Sequence, residues 1–267
     1  MPHEIFLTAI VPDDYAFNAR AVLAGHTEMR EQHRFTKVRY MRREEFGVKG
    51  LPTNKDLQKE RGPNAALWQE LHQIFLKQSY IIQERTDITD EIKNAGATDA
   101  ITAGTPAAKV PRLRFNDLPD TMSSRHPQHN TQRKTLEIAD PRLGKILADN
   151  KFTCKTESIE ETYHWFDDKG LEYVLTRVFR APAPRGNNNT AIEKPALSVA
   201  ALGDPVAPFW TLFVSVRVES TPERMQQGHQ LLETTRQFLT GVFDFRNFDR
   251  RAHDTRNMEP RQQAASG

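Results

Sequence analysis

The sequence predicts a single antiparallel β domain, mainly β with some α (α+β), closing into a barrel and carrying three or four helices. Three stretches predict it. Phe209-Trp210-Thr211-Leu212-Phe213-Val214-Ser215-Val216-Arg217-Val218-Glu219 is aromatic, β-branched or apolar at almost every position, which reads as a long strand buried on much of both faces. His3-Glu4-Ile5-Phe6-Leu7-Thr8-Ala9-Ile10-Val11 is a second run of this kind. Glu161 to Phe166 and Leu171 to Phe179 flank the turn residues Asp167-Asp168-Lys169-Gly170 and read as a hairpin. The two strongest strands lie at opposite ends of the chain, with no internal repeat and no compositional break between them. That favours one closed sheet over two sequential domains.

In order along the chain, Pro12-Asp13-Asp14 starts a short helix carrying Phe17, Ala21, Val22 and Leu23, which Gly25 would close. Phe35, Val38 and Tyr40 suggest a second strand, with Arg39, Arg42 and Arg43 beside it. Residues 47–63 are polar and glycine-punctuated, a loop. Asn64 suits the cap of a helix that holds Leu67, Trp68, Leu71, Ile74 and Phe75 on one face. Tyr80 to Arg85 reads as a strand. Residues 93–110 then fall to Ala, Thr, Gly and Pro, a loop of disorder-prone composition. Leu113-Arg114-Phe115 is a short strand, and 119–134 is a polar loop. Asp140-Pro141 starts a helix through Leu143, Ile146 and Leu147 that ends near Asn150. After the hairpin, 182–208 is a further loop.

The last strand stops at Ser220-Thr221-Pro222-Glu223, where a hydroxyl can cap a helix, proline fits its first turn and an acid suits its positive end. Met225, Leu231, Leu232, Phe238 and Leu239 recur at helical spacing, and Gly241 can close the helix in a left-handed conformation. Phe243, Phe245 and Phe248 follow, then Asp249-Arg250-Arg251 and Asp254-Thr255-Arg256. Such a close suits a segment packed against the fold. The domain is therefore expected over 1–256, with 257–267 a disordered tail.

The 267 residues are 37% hydrophobic and 27% charged, the balance of a soluble core interrupted by polar loops. A net charge of +2 argues neither for nor against nucleic acid. No basic leader opens the chain, and no apolar run is long enough to span a bilayer. A single cysteine, Cys154, leaves no intramolecular disulfide or multi-cysteine zinc site, so the chain reads as intracellular.

Catalytic motifs are absent: no Gly-x-Gly-x-x-Gly, phosphate-loop Gly-Lys-Ser/Thr, Gly-x-Ser-x-Gly or His-Glu-x-x-His occurs. A nucleophilic Cys154 would need a base, for which His164 is the nearest candidate, but between Phe152 and Thr156 a structural cysteine is the better reading. His126 and His129 read as surface residues rather than metal ligands. A polyphosphate tunnel would place carboxylates on alternate strand residues, both facing one cation. No two acidic residues stand at i, i+2 anywhere in this chain. The basic clusters Arg39, Arg42, Arg43 and Arg250, Arg251, Arg256 could touch phosphates. Glu44, Glu45, Asp249 and Asp254 interleave with them, so a solvated or internally paired face is preferred. Trp165 and Trp210 suit the core, while hairpin aromatics left on a barrel wall would anchor a partner.

Glu4-Ile5-Phe6-Leu7-Thr8-Ala9, then Leu67-Trp68-Gln69-Glu70-Leu71 leading to Tyr80 and Arg85, then Leu113-Arg114-Phe115-Asn116-Asp117-Leu118-Pro119-Asp120, and finally Phe248-Asp249-Arg250-Arg251 with Asp254-Thr255-Arg256 follow one another in an order that carries a resemblance. Together they resemble the Mediator subunit 18 family in its fungal form, from the first strand to Arg256. His253 and Asn257 depart from it, standing where the family pattern places a larger apolar residue and Val. The resemblance implies a closed multi-stranded antiparallel barrel related in shape to triphosphatase tunnels, without catalysis, metal or cofactor. It also implies a nuclear place in the Mediator head module, pairing with Mediator subunit 20 and tethered by the C-terminal segment of subunit 8. Such a subunit links regulators to the RNA polymerase II machinery without reading DNA sequence or touching membrane. Partner anchors are expected among Trp165, Phe166, Tyr173, Phe245, Phe248, Arg250, Arg251 and Arg256, because aromatic and arginine side chains dominate hot spots. The competing reading is a divergent metal-dependent tunnel-type triphosphatase whose carboxylates converge from non-adjacent strands.

Overall fold

The two strongest predicted strands lie side by side. β1 (His3–Pro12) pairs antiparallel with β8 (Phe209–Val218) along its whole length, from His3 opposite Val218 to Pro12 opposite Phe209. The computed structural model describes residues 2–45, 48–59, 64–94, 109–120, 129–181, 199, 202–247 and 254–256. Between β1 and β8 come β2 (Gln32–Arg43), β3 (Ile82–Asp87), β4 (Arg112–Asn116), β5 (Thr131–Ala139), β6 (Phe152–Phe166) and β7 (Glu172–Arg180). They close as an antiparallel barrel in the order β1-β5-β4-β3-β2-β6-β7-β8. The described helices are α1 (Ala16–Thr27), α2 (Asn54–Lys59), α3 (Ala65–Lys77), α4 (Thr89–Asn94), α5 (Leu143–Asp149) and α6 (Pro222–Phe238).

Strand alternation gives the wall two unlike faces. Ile5, Leu7, Trp165, Tyr173, Leu212 and Val214 face outward and pack with Leu23 of α1 and Leu232 of α6. A second outer cluster joins Trp68, Leu71 and Phe75 of α3 and Leu147 of α5 to Ile82, Leu113, Phe115, Leu136 and Ile138 of the wall. A third holds Ile88 and Ile92 against Phe35, Ile159 and Phe179. The helices thus build the apolar cores outside the barrel, each fully buried large side chain contributing about 1.5–3 kcal/mol, and the inward face is left largely polar.

Several predicted boundaries change. α1 runs through Gly25 to Thr27, whose hydroxyl donates to the Leu23 carbonyl at 2.8 Å, and the left-handed residue that follows is Glu28 at φ 52°. Asn64 does not cap α3; its amide donates to the Ala139 carbonyl at 2.7 Å instead. The predicted loops 47–63, 93–110 and 119–134 contain α2, the end of α4 and the start of β5 respectively. β5 escaped detection because Arg133, Thr135 and Glu137 face inward and mask the alternation of Leu136 and Ile138. The parts of the predicted loops at 47, 60–63, 95–108, 121–128, 182–198 and 200–201, and the tail 257–267, lie outside the described residues. Thr221 caps α6 by accepting from the Arg224 N–H at 3.4 Å, as predicted; Gly241 is left-handed at φ 89°, but α6 already ends at Phe238 with Leu239 as its C-cap.

β5 pairs with β1 only from His3 to Phe6, so beyond Phe6 the two strands part. The segment after α6 occupies that gap. Phe245 bridges to Ala9, the Arg246 N–H donates to the Thr8 carbonyl at 2.9 Å, and the Thr8 hydroxyl donates to the Arg246 carbonyl at 2.8 Å. Further on, the Ile81 N–H donates to the Thr255 carbonyl at 2.6 Å, the Thr255 hydroxyl donates to the Asn116 carbonyl at 2.7 Å, and Arg256 bridges to Tyr80. The C-terminal segment therefore straps one rim of the barrel from β1 to the β3–β4 side.

Candidate functional site

The inward face encloses a chamber of ≈ 970 Å³, and Glu4, Arg85, Arg114, Arg133, Glu160 and Arg217 are among its lining residues. These side chains come from β1, β3, β4, β5, β6 and β8, so the charges converge from separate strands. Glu4 stands between Arg114 at 3.0 Å and Arg133 at 2.6 Å. Glu137 takes Arg217 at 3.0 Å and approaches Arg114 at 3.6 Å. Arg85 pairs with Glu160 at 2.5 Å, and Glu172 meets His164 at 3.1 Å.

Burial alone would raise the Glu4 carboxyl, but the Arg114 and Arg133 charges outweigh it and hold it at about 2. Burial likewise opposes ionisation of Glu172, and its bond to His164 nonetheless draws it below the ordinary carboxylate value. Arg133 is lowered, by burial first and then by the like charges of Arg114 and Arg217, with Glu4 opposing both. The chamber is a ladder of desolvated ion pairs. A hard divalent cation needs several oxygen ligands, usually carboxylates, left free to hold it. Here the carboxylates that line the chamber are engaged by arginine, histidine or, for Asp87, by Lys109 at 3.0 Å. Among the described residues no group of three or more His, Cys, Asp or Glu converges in a way that could hold a metal ion.

The predicted partner anchors divide. Trp165 and Tyr173 are completely buried beneath α1 and α6, and Phe245 is buried in the same cluster, so these three belong to the core and not to an outer binding wall. The physical reason is the alternation itself: it turns Trp165 and Tyr173 outward under the helices and Phe166 and Glu172 inward. Phe166, 39% exposed, lines the chamber at its mouth. Arg256 is spanned by Asp254 at 2.6 Å within the strap. Phe248, Arg250 and Arg251, with His253 and Asn257, lie outside the described residues.

The basic cluster near β2 is internally engaged. Arg39 reaches Glu84 at 2.8 Å and Glu157 at 3.0 Å, partners from β3 and β6 that sequence proximity did not suggest. Arg43 is buried, donating to the carbonyls of Asn150, Val48 and Gly50 at 3.0–3.1 Å. Cys154 has Glu157 at 3.9 Å for a neighbour, while His164 is held by Glu172 and Thr162, so the two do not form a nucleophile and base. The chamber residues themselves went unnoticed in the sequence. A partial signal is present: Arg112-Leu113-Arg114-Phe115-Asn116 alternates polar with apolar, but alternation alone does not say whether the polar face looks to solvent or into a barrel.

A family model described as the Med18 protein matches residues 3–256. A chain of the Schizosaccharomyces pombe Mediator head module is similar in structure, with a TM-score of 0.57 at 11% identity over 92% of this chain and 98% of that one. The PH1819 protein of Pyrococcus horikoshii OT3 gives a TM-score of 0.43 at 9% identity over 92% of this chain and 94% of its own. HpAC1 from Hippeastrum, described as having a dominant triphosphatase activity, gives 0.42 at 10% identity over 95% and 97%. No curated protein sequence matches the chain.

Proposed function

The chain belongs to the Med18 protein family, the family of Mediator subunit 18, and from that membership we propose that it works as a non-catalytic subunit of the Mediator head module. In this reading it forms a heterodimer with Mediator subunit 20, takes the C-terminal segment of subunit 8, and acts in the nucleus between regulators and the RNA polymerase II machinery. The observation that supports the non-catalytic part is the ion pairing of the chamber: among the described residues its carboxylates already have cationic partners and leave no free oxygen cage for a metal. A closed barrel also hides its strand edges, so it offers rigid contact area without inviting strand addition. Phe166 and Arg256 keep solvent-facing area and remain anchor candidates, together with Phe248, Arg250 and Arg251.

The test is co-expression with subunit 20 from the same source, followed by size-exclusion chromatography with light scattering at moderate salt. A stoichiometric heterodimer is expected, burying on the order of 1,200–2,000 Å² or more. A chain that stays monomeric beside its partner would sink the pairing. Manganese-dependent release of phosphate from tripolyphosphate, lost in a Glu4→Gln variant, would overturn the non-catalytic reading.

A further inference from the structure

The chamber's mouth differs from its depth. Inside, Arg85, Arg114, Arg133 and Arg217 are matched by Glu160, Glu4 and Glu137. At the mouth, among the described residues, Arg34 donates to the neutral Gln32 Oε1 and has no acidic partner, and neither has Arg112. Lys109 in the same rim is already neutralised by Asp87 and Asp90, so the open positive charge there is that of the two arginines. Two apolar side chains stand exposed in the same rim, Phe166 at 39% and Val110 at 48%.

We infer that this mouth binds an acidic peptide segment that also carries an apolar side chain. Uncompensated guanidiniums recognise carboxylates in bidentate fashion, and Phe166 with Val110 gives the neighbouring apolar side chain a place to leave water. A phosphate polyanion would use the arginines but gain nothing from Phe166 and Val110. The spacing suits a short extended segment. Arg112 lies on β4, Arg34 on β2 and Phe166 on β6, and neighbouring strands stand ~4.8 Å apart, so the rim from β4 to β6 is roughly 14 Å, about four residues of extended chain. The inference shares Phe166 with the anchor candidates above but does not need that pairing, because it is tested on the isolated full chain.

The experiment is fluorescence anisotropy with a labelled hexapeptide of alternating aspartate and leucine, its asparagine twin, and tripolyphosphate as competitor. The acidic peptide is expected to bind, more weakly as salt rises, and the asparagine twin to fail. The double variant Arg34→Gln/Arg112→Gln should lose about tenfold or more in affinity and Phe166→Ser about fivefold, at unchanged melting temperature. The inference is overturned if the peptide does not bind, or if the double variant binds it as tightly as the wild type. It is overturned equally if tripolyphosphate binds through the same arginines while Phe166→Ser leaves peptide affinity unchanged, since the mouth is then a phosphate site.

Discussion

Glu4 reaches from β1 into the chamber between two guanidiniums, and its titration follows from that position. Its carboxyl falls from 4.5 to about 2 on folding. The stabilisation is therefore complete above pH 4.5 and is lost as pH drops toward 2, worth about 3 kcal/mol. Glu4→Gln should cost about 3–5 kcal/mol at neutral pH by leaving Arg133 buried without its carboxylate. Its stability should then vary less than wild type's between pH 4.5 and 2. Urea unfolding at several pH values measures both, and parallel curves would refute the pairing energy assigned to Glu4. Arg43 makes a second case. Three carbonyls from two segments, Val48 and Gly50 of one turn and Asn150 after α5, receive its planar fork, a geometry that an ammonium group cannot reproduce. Arg43→Lys should lose about 2–4 kcal/mol in thermal or chemical unfolding; a loss under 1 kcal/mol would mean that water replaces the fork. In the sequence Arg43 was visible only as one of a run of bases. Nothing local shows that β2 turns it beneath the 48–51 turn.

At the scale of elements, the C-terminal strap and α6 are the pieces whose roles can be separated. Ending the chain before Phe243 removes two buried phenylalanines and the bonds to Thr8 and Ile81. At about 1.5–3 kcal/mol per buried phenylalanine, the loss should reach roughly 3–6 kcal/mol, enough to unfold a marginal domain. A truncated chain that melts like the full one would show the strap to be decoration. α6 lies unusually close to the wall at Gly228, where an added Cβ would come 2.9 Å from Ile5 Cδ1 and 3.1 Å from Val218 Cγ1. In a free helix Gly→Ala stabilises by about 1 kcal/mol. Here Ile5 is buried and cannot yield freely, so Gly228→Ala should destabilise by about 1 kcal/mol net. A rise in melting temperature would contradict the close approach. The strap's packing was expected from its phenylalanines, whereas the closeness of α6 was not, because a lone glycine in a helical run does not say which face it occupies.

For the whole molecule, the balanced chamber predicts indifference to divalent metal. A ligand present at about a hundred times its dissociation constant stabilises by about 2.7 kcal/mol, a shift of a few degrees for a domain this size. Manganese should therefore leave the melting temperature where magnesium and an ionic-strength control leave it. A manganese-specific rise of several degrees would show that the arginines can be displaced.

The sequence by itself determined the kind of fold, its two strongest strands, the hairpin and the capped last helix, since each rests on periodicity and capping within a short window; that the two strands pair was decided by the tertiary structure. The sequence also showed that no motif for catalysis is present. Only the tertiary structure decided which face of each strand looks inward. The alternation is identical for a strand with its apolar side toward a barrel core and for one with that side under a helix. Closure and the placement of α1, α3 and α6 outside the wall settled it, burying Trp165 and Tyr173, bringing Glu4, Glu137 and the arginines together, and leaving Phe166 at the mouth.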